Sequence, residues 1–295
     1  MNETLKRSIS GAIYIILLIA SILYSKESFI TLFGVFLLIA TFEFSNLVQL
    51  NKYISIFIAF LLYSSIVLIS FYSEKVETWI TMLQKKNCKL AIDFEKLDTI
   101  LLVITLLVSV KCIVFLFNNT AQTFTKGSMY LYLLGYLILP FVFITKISIG
   151  VLDYNPKIII GLFILIWTND TFAYLVGKSM GKHKLFERIS PKKTIEGFIG
   201  GVLFAVFAGF LISKLYIKPN PEFSDKSILI WTIIAVIAGV FGTIGDLIES
   251  KFKRVAGVKD SGIIMPGHGG ILDRFDSVIF VAPIVFLFYK ILNFI

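Results

Sequence analysis

The sequence has few of the residues that build water-facing surfaces or disulfide frameworks. Only 16% of its 295 residues are charged, and it has two cysteines, two histidines and seven prolines. Cys88, in a polar loop, and Cys112, in an apolar run, give no disulfide framework and no metal-site spacing. The sequence also lacks helix-turn-helix, RNA-binding and zinc patterns, so its net charge of +9 does not indicate a nucleic-acid partner. The low charge excludes an ordinary soluble domain of this length.

Long apolar runs dominate the chain instead. Hydrophobic residues make up 57% of it, and runs of roughly 17 to 22 residues are long enough to cross a hydrocarbon core about 30 Å thick as helices. We predict an all-α, polytopic integral membrane protein. Its nine transmembrane helices are predicted at residues 8–24, 29–48, 53–72, 100–117, 129–147, 158–177, 197–216, 228–248 and 277–294.

Basic residues gather in two loops, between spans six and seven and between spans eight and nine. With nine spans, both loops lie on the same side as Lys6 and Arg7, and the positive-inside rule places that side in the cytoplasm. Charges that only fix topology would not explain the glycines, histidines and acids among them. The loops hold 11 of the 28 Lys and Arg residues, namely Lys178, Lys182, Lys184, Arg188, Lys192, Lys193, Lys251, Lys253, Arg254, Lys259 and Arg274.

The chain divides into two regions. Residues 1–150 hold about five spans, and residues 151–295 form a region that carries the polar motifs. The longer loop at 73–99 balances five Lys against five acids and gives no orientation signal. The first apolar run resembles a secretion signal, but no small-residue cleavage pattern follows it, so we expect a retained helix.

Span eight ends in a polar face. If the helix continues, Asp246, Glu249, Ser250 and Lys253 lie at i, i+3, i+4 and i+7 and share one side. Asp246 lies inside the apolar run, where ionisable residues usually face a cavity, a partner or a metal. The alternative is a helix-terminal acid paired with a neighbouring Lys.

The segment KDSGIIMPGHGGILDRFDS, residues 259–277, concentrates charge and glycine before the last apolar run. Asp273 and Asp276 open span nine, where ordinary helix capping would also favour carboxylates. Their oxygens suit a hard cation such as Mg²⁺, which commonly binds one or two carboxylates together with substrate phosphates.

The glycines of this segment suggest an anion site. Gly267, Gly269 and Gly270 let the backbone approach a ligand, and successive N–H groups near a helix start form an anion-binding concavity. His268 is a candidate phosphate donor or proton carrier, or it only fixes the loop by hydrogen bonding. Candidates for neutralising a polyphosphate are Lys253, Arg254, Lys259 and Arg274.

The earlier basic loop repeats this composition. Asn169 and Asp170 lie within span six, and Asp170, Tyr174 and Gly177 share one helical face. A combination of acid, glycine and base on one membrane face suits Mg²⁺-dependent handling of a phosphorylated membrane substrate.

The stretch SPKKTIEG follows in the same loop. We predict that Ser190 caps a helix whose first residue is Pro191. Lys192 and Lys193 would then flank a helix N-terminus, which attracts anions.

The stretch SKFKRVAGVKDSGIIMPGHGGILDRFD, residues 250–276, resembles the hallmark of the CDP-diacylglycerol synthase, or phosphatidate cytidylyltransferase, family. Met265 stands where that family usually has Leu, Ile or Phe, and it is also apolar. The resemblance is strong from Asn169 to Ser277 and only architectural over the N-terminal half. The pattern is matched at Ser250, Lys253, Arg254, Lys259, Asp260, Gly262, Pro266, His268, Gly269, Gly270, Asp273, Arg274 and Asp276.

The resemblance implies transfer of CMP from CTP to phosphatidate, giving CDP-diacylglycerol and pyrophosphate. It also implies a homodimer and a metal-dependent site with Mg²⁺ and K⁺. By motif position, the expected metal ligands are Asp246 and Asp273, with Asp276 as a further ligand or outer group. The expected catalytic residues are Asp246, Asp273, Lys259, Asp260, His268 and Arg274. Substrate contacts are expected from Lys192, Lys193, Ser250, Lys253, Arg254, Gly269, Gly270, Asn169 and Asp170.

Two alternatives belong beside this expectation. A CTP-dependent polyprenol kinase would release CDP, but the complete motif argues against it. An ion-coupled transporter would use Asp170 and Asp246 inside the membrane, but the sequence lacks the paired halves with broken helices that many transporters show. If the source is bacterial, we expect the inner membrane, with the active site facing the cytoplasm.

Overall fold

A computed structural model describes residues 3–71, 94–118, 125–148, 154–217, 224–267 and 269–292. Within these residues, a long helix lies at each of the predicted span positions, so the all-α expectation holds for the bundle. The helices are α1 (Glu3–Tyr24), α2 (Lys26–Leu47), α3 (Lys52–Phe71), α4 (Phe94–Phe117), α5 (Lys126–Ile147), α6 (Pro156–Met180), α7 (Ile195–Ile217), α8 (Ser224–Val255) and α9 (Leu272–Ile291).

Seven of these helices, α2 to α8, are long and apolar enough to cross a membrane, counted over the described residues. The chain is therefore a multi-pass membrane protein. α1 has a shorter apolar stretch, Ser8–Tyr24, and α9 begins with charged residues. The largest differences from the predicted boundaries are at four helix ends. α1 starts at Glu3 and α4 at Phe94, both before the predicted residue, α8 continues to Val255, and α9 starts at Leu272.

Local signals explain several helix ends and irregularities. The Ser25 side chain accepts the Ser28 N–H and the Ser28 hydroxyl accepts the Ser25 N–H, so a reciprocal cap starts α2 directly after α1. α5 widens into a π-helical turn at Leu133–Ile138. Pro140 follows that turn and lacks the amide hydrogen that would continue the regular ladder.

Aromatic rings fill the centre of the bundle around the start of α9. The Phe275 ring lies 5.5 Å from that of Phe33, 5.4 Å from that of Phe36 and 5.1 Å from that of Phe141, measured between centroids. Such tilted and edge-to-face pairs add to the stabilisation from burial. These contacts join helices of both regions of the chain, residues 1–150 and 151–295.

Polar contacts tie the two ends of the bundle. At one end, Lys251 of α8 donates hydrogen bonds to the carbonyls of Phe115 and Asn118, the latter at 2.6 Å, as basic residues often do at helix C-termini. At the opposite end, the Tyr154 hydroxyl donates to the Ile22 carbonyl at 2.7 Å. Burial raises the pKa of the Tyr154 hydroxyl.

The segment between α6 and α7 is a two-stranded antiparallel hairpin of β1 (Lys184–Phe186) and β2 (Ser190–Thr194). The prediction of a helix capped by Ser190 is therefore wrong. Pairing with β1 keeps the chain extended to Thr194, whose hydroxyl oxygen accepts the Gly197 N–H at 3.1 Å and caps α7. This hairpin is the exception to all-α structure among the described residues.

Candidate active site

A cavity of about 800 Å³ lies between α6, α8, α9 and the hairpin, at the end of the bundle where the basic loops are. Its wall brings together polar residues from both predicted loops. The acidic residues that line it are Asp170, Asp246, Asp260, Asp273 and Asp276, and the basic ones are Lys178, Lys184, Lys192, Lys193, Lys253 and Arg274.

The predicted polar face of α8 is confirmed. The Ser250 hydroxyl donates to Asp246 Oδ1 at 3.2 Å, and Lys253 forms an ion pair with buried Glu249. The helix extends this far because its terminating glycine comes late. Gly257 has a φ of 72°, and the bonds around it form a Schellman motif just after the end of α8.

Asp273 accepts hydrogen bonds from the loop between α8 and α9, residues 256–271, which is called the motif loop below. Its Oδ1 accepts from Lys253 Nζ at 2.6 Å. Its Oδ2 accepts from the Ser261 amide at 3.0 Å, the Ser261 hydroxyl at 2.8 Å and the Gly270 amide at 2.7 Å. A Cβ at Gly269, where φ is 85°, would overlap the same carboxylate. Asp273 therefore binds loop amides that precede α9, not the first amides of the helix that ordinary capping would involve, and it also lines the cavity.

The hairpin delivers a lysine to the acidic side of the cavity. Lys193 Nζ lies 2.5 Å from Asp246 Oδ2, and Lys192 is exposed on the same strand. On α6, the Asn169 amide donates to Asp170 Oδ1 at 3.2 Å. The ion pair joins residues that are 53 positions apart, counting from Lys193 to Asp246.

Three carboxylates share one region of the cavity. Asp170 and Asp246 both lie close enough to Asp276 for their negative charges to repel it. Such repulsion favours a bound cation or a paired base between them. Lys193 already fills part of this role for Asp246.

Some predicted site residues lie elsewhere or outside the described chain. Arg254 donates to the Val258 carbonyl at 3.0 Å and to the Ile189 carbonyl at 3.4 Å, so it braces the loop against the hairpin. Lys259 is exposed, and the cavity wall does not include it among the described residues. His268 lies outside the described residues, as does most of the loop at 73–99, so both expectations stay predictions.

Residues 5–292 match the model of the cytidylyltransferase family. The chain belongs to this family. Three similar curated proteins are named phosphatidate cytidylyltransferase. That of Staphylococcus aureus strain COL is 53% identical over 125 residues, covering 42% of this chain and 45% of the relative.

The other two relatives have a similar identity over a similar share of the chain. The Staphylococcus epidermidis protein is 47% identical over 131 residues, covering 44% of this chain and 47% of the relative. The Staphylococcus saprophyticus protein is 50% identical over 125 residues, covering 42% and 45%. The chain thus spans about half the length of the curated relatives it matches.

The carboxylates of the cavity would suit a cation that arrives with phosphates. Within the described residues, no three acidic, His or Cys side chains form a metal cluster by themselves. Mg²⁺ needs only one or two protein carboxylates when phosphates and waters complete its shell. Asp246 and Asp276 both line the cavity and would supply that donor set.

Glu43 contacts the loop between α8 and α9 but is not among the residues predicted from the sequence. This residue of α2 is 2% exposed, and its carboxylate accepts the Ile271 amide at 3.1 Å and the Leu272 amide at 2.8 Å. The sequence does contain a signal for Glu43, because this residue is an acid inside an apolar run. The same feature made Asp246 a candidate site residue. Its partners lie at the far end of the chain, and nothing local points to them.

A second, apolar groove of about 580 Å³ lies beside the motif loop. The Ser10 hydroxyl donates to the Pro266 carbonyl at 3.0 Å across one edge of it. Its wall combines α1, α2 and the loop, and is formed by Ile9, Ser10, Ile13, Tyr14, Leu17, Phe36, Ile264, Met265, Pro266 and Ile271.

Proposed function

We propose that this protein is a phosphatidate cytidylyltransferase, a nucleotidyltransferase that makes CDP-diacylglycerol for phospholipid synthesis. The observation that carries the proposal is the cavity of about 800 Å³ in which acids and bases of the family motif meet at one end of a membrane bundle. A site of this kind suits a reaction between a water-soluble nucleotide and a membrane lipid. The similar proteins from Staphylococcus carry the same activity in their names.

In the proposed reaction, a phosphate oxygen of phosphatidate attacks the α-phosphorus of CTP. A new P–O bond forms, the bond between the α-phosphorus and the oxygen bridging to the β-phosphorus breaks, and pyrophosphate leaves with that electron pair. The attacking phosphate is already ionised, so the protein need not remove a proton. Its task is to align two anions and neutralise the leaving group.

Basic side chains perform the neutralising part. Lys192 and Lys193 come from the hairpin, while Lys253 and Arg274 come from the ends of α8 and α9. Lys253 is held by Asp273 and Glu249 and is therefore fixed in position. Fixed charges stabilise a transition state better than mobile ones, because they need no reorganisation as charge develops.

A cation is part of the proposal. The cavity wall has six basic and five acidic side chains, and this near balance leaves the negative charges of two phosphate substrates largely uncompensated. Mg²⁺ held by Asp246 and Asp276, with Asp273 as the other expected ligand, would supply the missing charge on the phosphates. K⁺ as a second cation rests on the family resemblance alone.

The apolar groove is the proposed place for the acyl chains of phosphatidate. It lies against Ile264 to Pro266 and Ile271, which flank the motif glycines. A lipid bound there keeps its chains in apolar surroundings while its phosphate lies near the loop. Burial of apolar surface would supply affinity that does not depend on headgroup charge.

The proposed topology has nine crossings, including α1 and α9, with the N-terminus and the cavity on the cytoplasmic side. The positive-inside distribution of Lys and Arg supports it. In a bacterium, this arrangement would let cytoplasmic CTP reach the site at the inner membrane. A homodimer is expected from the family resemblance.

The test is product analysis with CTP labelled in the cytidine. Membranes carrying the wild type, Asp246→Asn or Asp225→Asn are given phosphatidate and Mg²⁺. Asp225 is the matched control, because it is an exposed acid in the first turn of the same helix as Asp246. We expect labelled CDP-diacylglycerol and equal pyrophosphate from the wild type and from Asp225→Asn, and loss of both from Asp246→Asn.

Other outcomes would contradict the proposal. Absence of lipid label from folded wild-type protein, across several phosphatidates, would refute the activity. Release of CDP with a polyprenol acceptor would identify a kinase instead. Wild-type product formation by folded Asp246→Asn would refute the assignment of this cavity as the active site.

A further inference from the structure

Glu43 is a buried carboxylate that no step of the proposed reaction uses. Its side chain, 2% exposed, lies near the end of α2. A carboxylate removed from water is costly unless hydrogen bonds or charges compensate it. Two backbone amides do so, those of Ile271 at 3.1 Å and Leu272 at 2.8 Å, each to a different carboxylate oxygen.

These amides lie at the start of α9, the helix that carries Asp273. The first N–H groups of a helix have no partner within it and are usually capped by a nearby polar side chain. Ile271 occupies the cap position, and α9 has no side-chain cap from it. Glu43 supplies the acceptors from 228 residues away along the chain.

The motif loop is shaped around this carboxylate. A Cβ at Gly262 or at Gly270 would overlap the Glu43 side chain. The Ser261 hydroxyl lies 3.4 Å from Glu43 Oε2 and 2.8 Å from Asp273 Oδ2. The loop therefore contacts Glu43 on one side and Asp273 on the other, with Ser261 between them.

We propose that Glu43 is a positioning residue of the cytidylyltransferase site, holding the start of α9 so that Asp273 meets Lys253 at the cavity. Asp273 and Arg274 lie in the first turn of α9 and move with its N-terminus. This inference rests on the proposed function, because its readout is the rate of CDP-diacylglycerol formation. Small displacements of groups that align substrates have large effects on rate.

The test compares Glu43→Gln with Glu27→Gln in purified, detergent-solubilised protein. Gln replaces one accepting oxygen by an NH₂ group, which would face a backbone N–H. We expect folded Glu43→Gln to lose kcat by roughly 10- to 100-fold, with the KM for CTP almost unchanged. Glu27 is an exposed acid in the first turn of the same helix, so its variant should keep wild-type kinetics.

Hydrogen exchange supplies a second readout. Amides at the start of α9 should exchange faster in Glu43→Gln, while those in the middle of α8 keep their wild-type rates. A general loss of stability would instead raise exchange in both helices. Faster exchange confined to α9 together with lowered kcat supports positioning.

Several outcomes would overturn the inference. Folded Glu43→Gln with wild-type kcat, or with only its KM raised, refutes a positioning role. Equal losses in Glu27→Gln would show a general sensitivity of α2. If Glu43→Gln cannot be isolated in a folded form, Glu43→Asp is tested in its place, because it keeps the negative charge on a shorter side chain. A lowered kcat in Glu43→Asp supports the proposal, and a wild-type kcat refutes it. An inactive wild type would refute the proposed function, and exchange at α9 would still test the contact.

Discussion

Lys253→Met should destabilise the protein more than most single substitutions, because Lys253 is the partner of two buried carboxylates. Its side chain is 11% exposed, that of Glu249 is 1% and that of Asp273 is 8%. Lys253 Nζ contacts the Glu249 carboxylate directly, so this ion pair is the charge compensation of Glu249 among the described residues. Removing Lys253 leaves Glu249 charged without a partner or forces it to take up a proton.

The size of the effect follows from this geometry. Breaking a buried ion pair by removing one partner costs about 3–5 kcal/mol. Most of that cost should come from Glu249, because Asp273 keeps its three hydrogen bonds to Ser261 and Gly270. For a chain of this size, the loss corresponds to a Tm lower by roughly 5–8 °C.

Thermal unfolding in detergent measures the effect, with Lys226→Met as control. Lys226 is an exposed lysine at the other end of the same helix, so its variant should melt close to the wild type. The double variant Lys253→Met/Glu249→Met should recover at least half of the lost Tm, since apolar replacement of a buried pair is often neutral. A Lys253→Met protein that melts within about 2 °C of the wild type, or a double variant that is worse than the single one, would refute the reasoning.

Three further predictions concern other parts of the molecule. Lys193→Met should lower kcat by about 100-fold, as loss of a fixed electrostatic group typically does; single-turnover CMP transfer would show it, and an unchanged rate would contradict it. Ile13→Trp should fill the apolar groove and raise the KM for long-chain phosphatidate roughly tenfold without changing that for CTP; equal changes in both would argue against an acyl site. Gly262→Ala should cost about 1–3 kcal/mol through overlap with Glu43, whereas Gly127→Ala, with open space around it, should not destabilise; equal melting of the two variants would exclude the overlap.

The helices could be predicted from the sequence because their signal is local. Each apolar run is long enough to span a membrane, and its length and composition suffice to place a helix there. The ends were less predictable. Gly257 ends α8 beyond the apolar run through a left-handed backbone conformation. α9 starts at Leu272, before its apolar run. Hydropathy alone therefore predicts a C-terminus of α8 and an N-terminus of α9 that lie within the observed helices.

In the hairpin, pairing between two strands overrides a local sequence pattern that predicts a helix start. Ser190 followed by Pro191 has the composition of a helix start. In the structure, β2 pairs with β1, and Lys184 Nζ donates to the Pro191 carbonyl at 2.7 Å. Thr194 then provides the cap that Ser190 was expected to give. Thr194 lies four positions after Ser190, and pairing of β2 with β1 keeps the chain extended between them.

The structure gives a reason for the motif glycines that cannot be seen in the sequence. The sequence pattern predicts that the backbone approaches an anionic ligand at Gly267, Gly269 and Gly270, and Gly262 is a further glycine of the motif. In the structure, Gly262 and Gly270 lie against the carboxylate of Glu43, and Gly269 lies against that of Asp273. The anions that these glycines accommodate are therefore the protein's own. The amide of Gly270 is already bound to Asp273. Recognition of the substrate phosphates therefore depends mainly on Lys and Arg side chains and on any bound cation. Substitutions that remove charge at the cavity should consequently lower the reaction rate more than changes in the loop backbone that leave the two carboxylates in place.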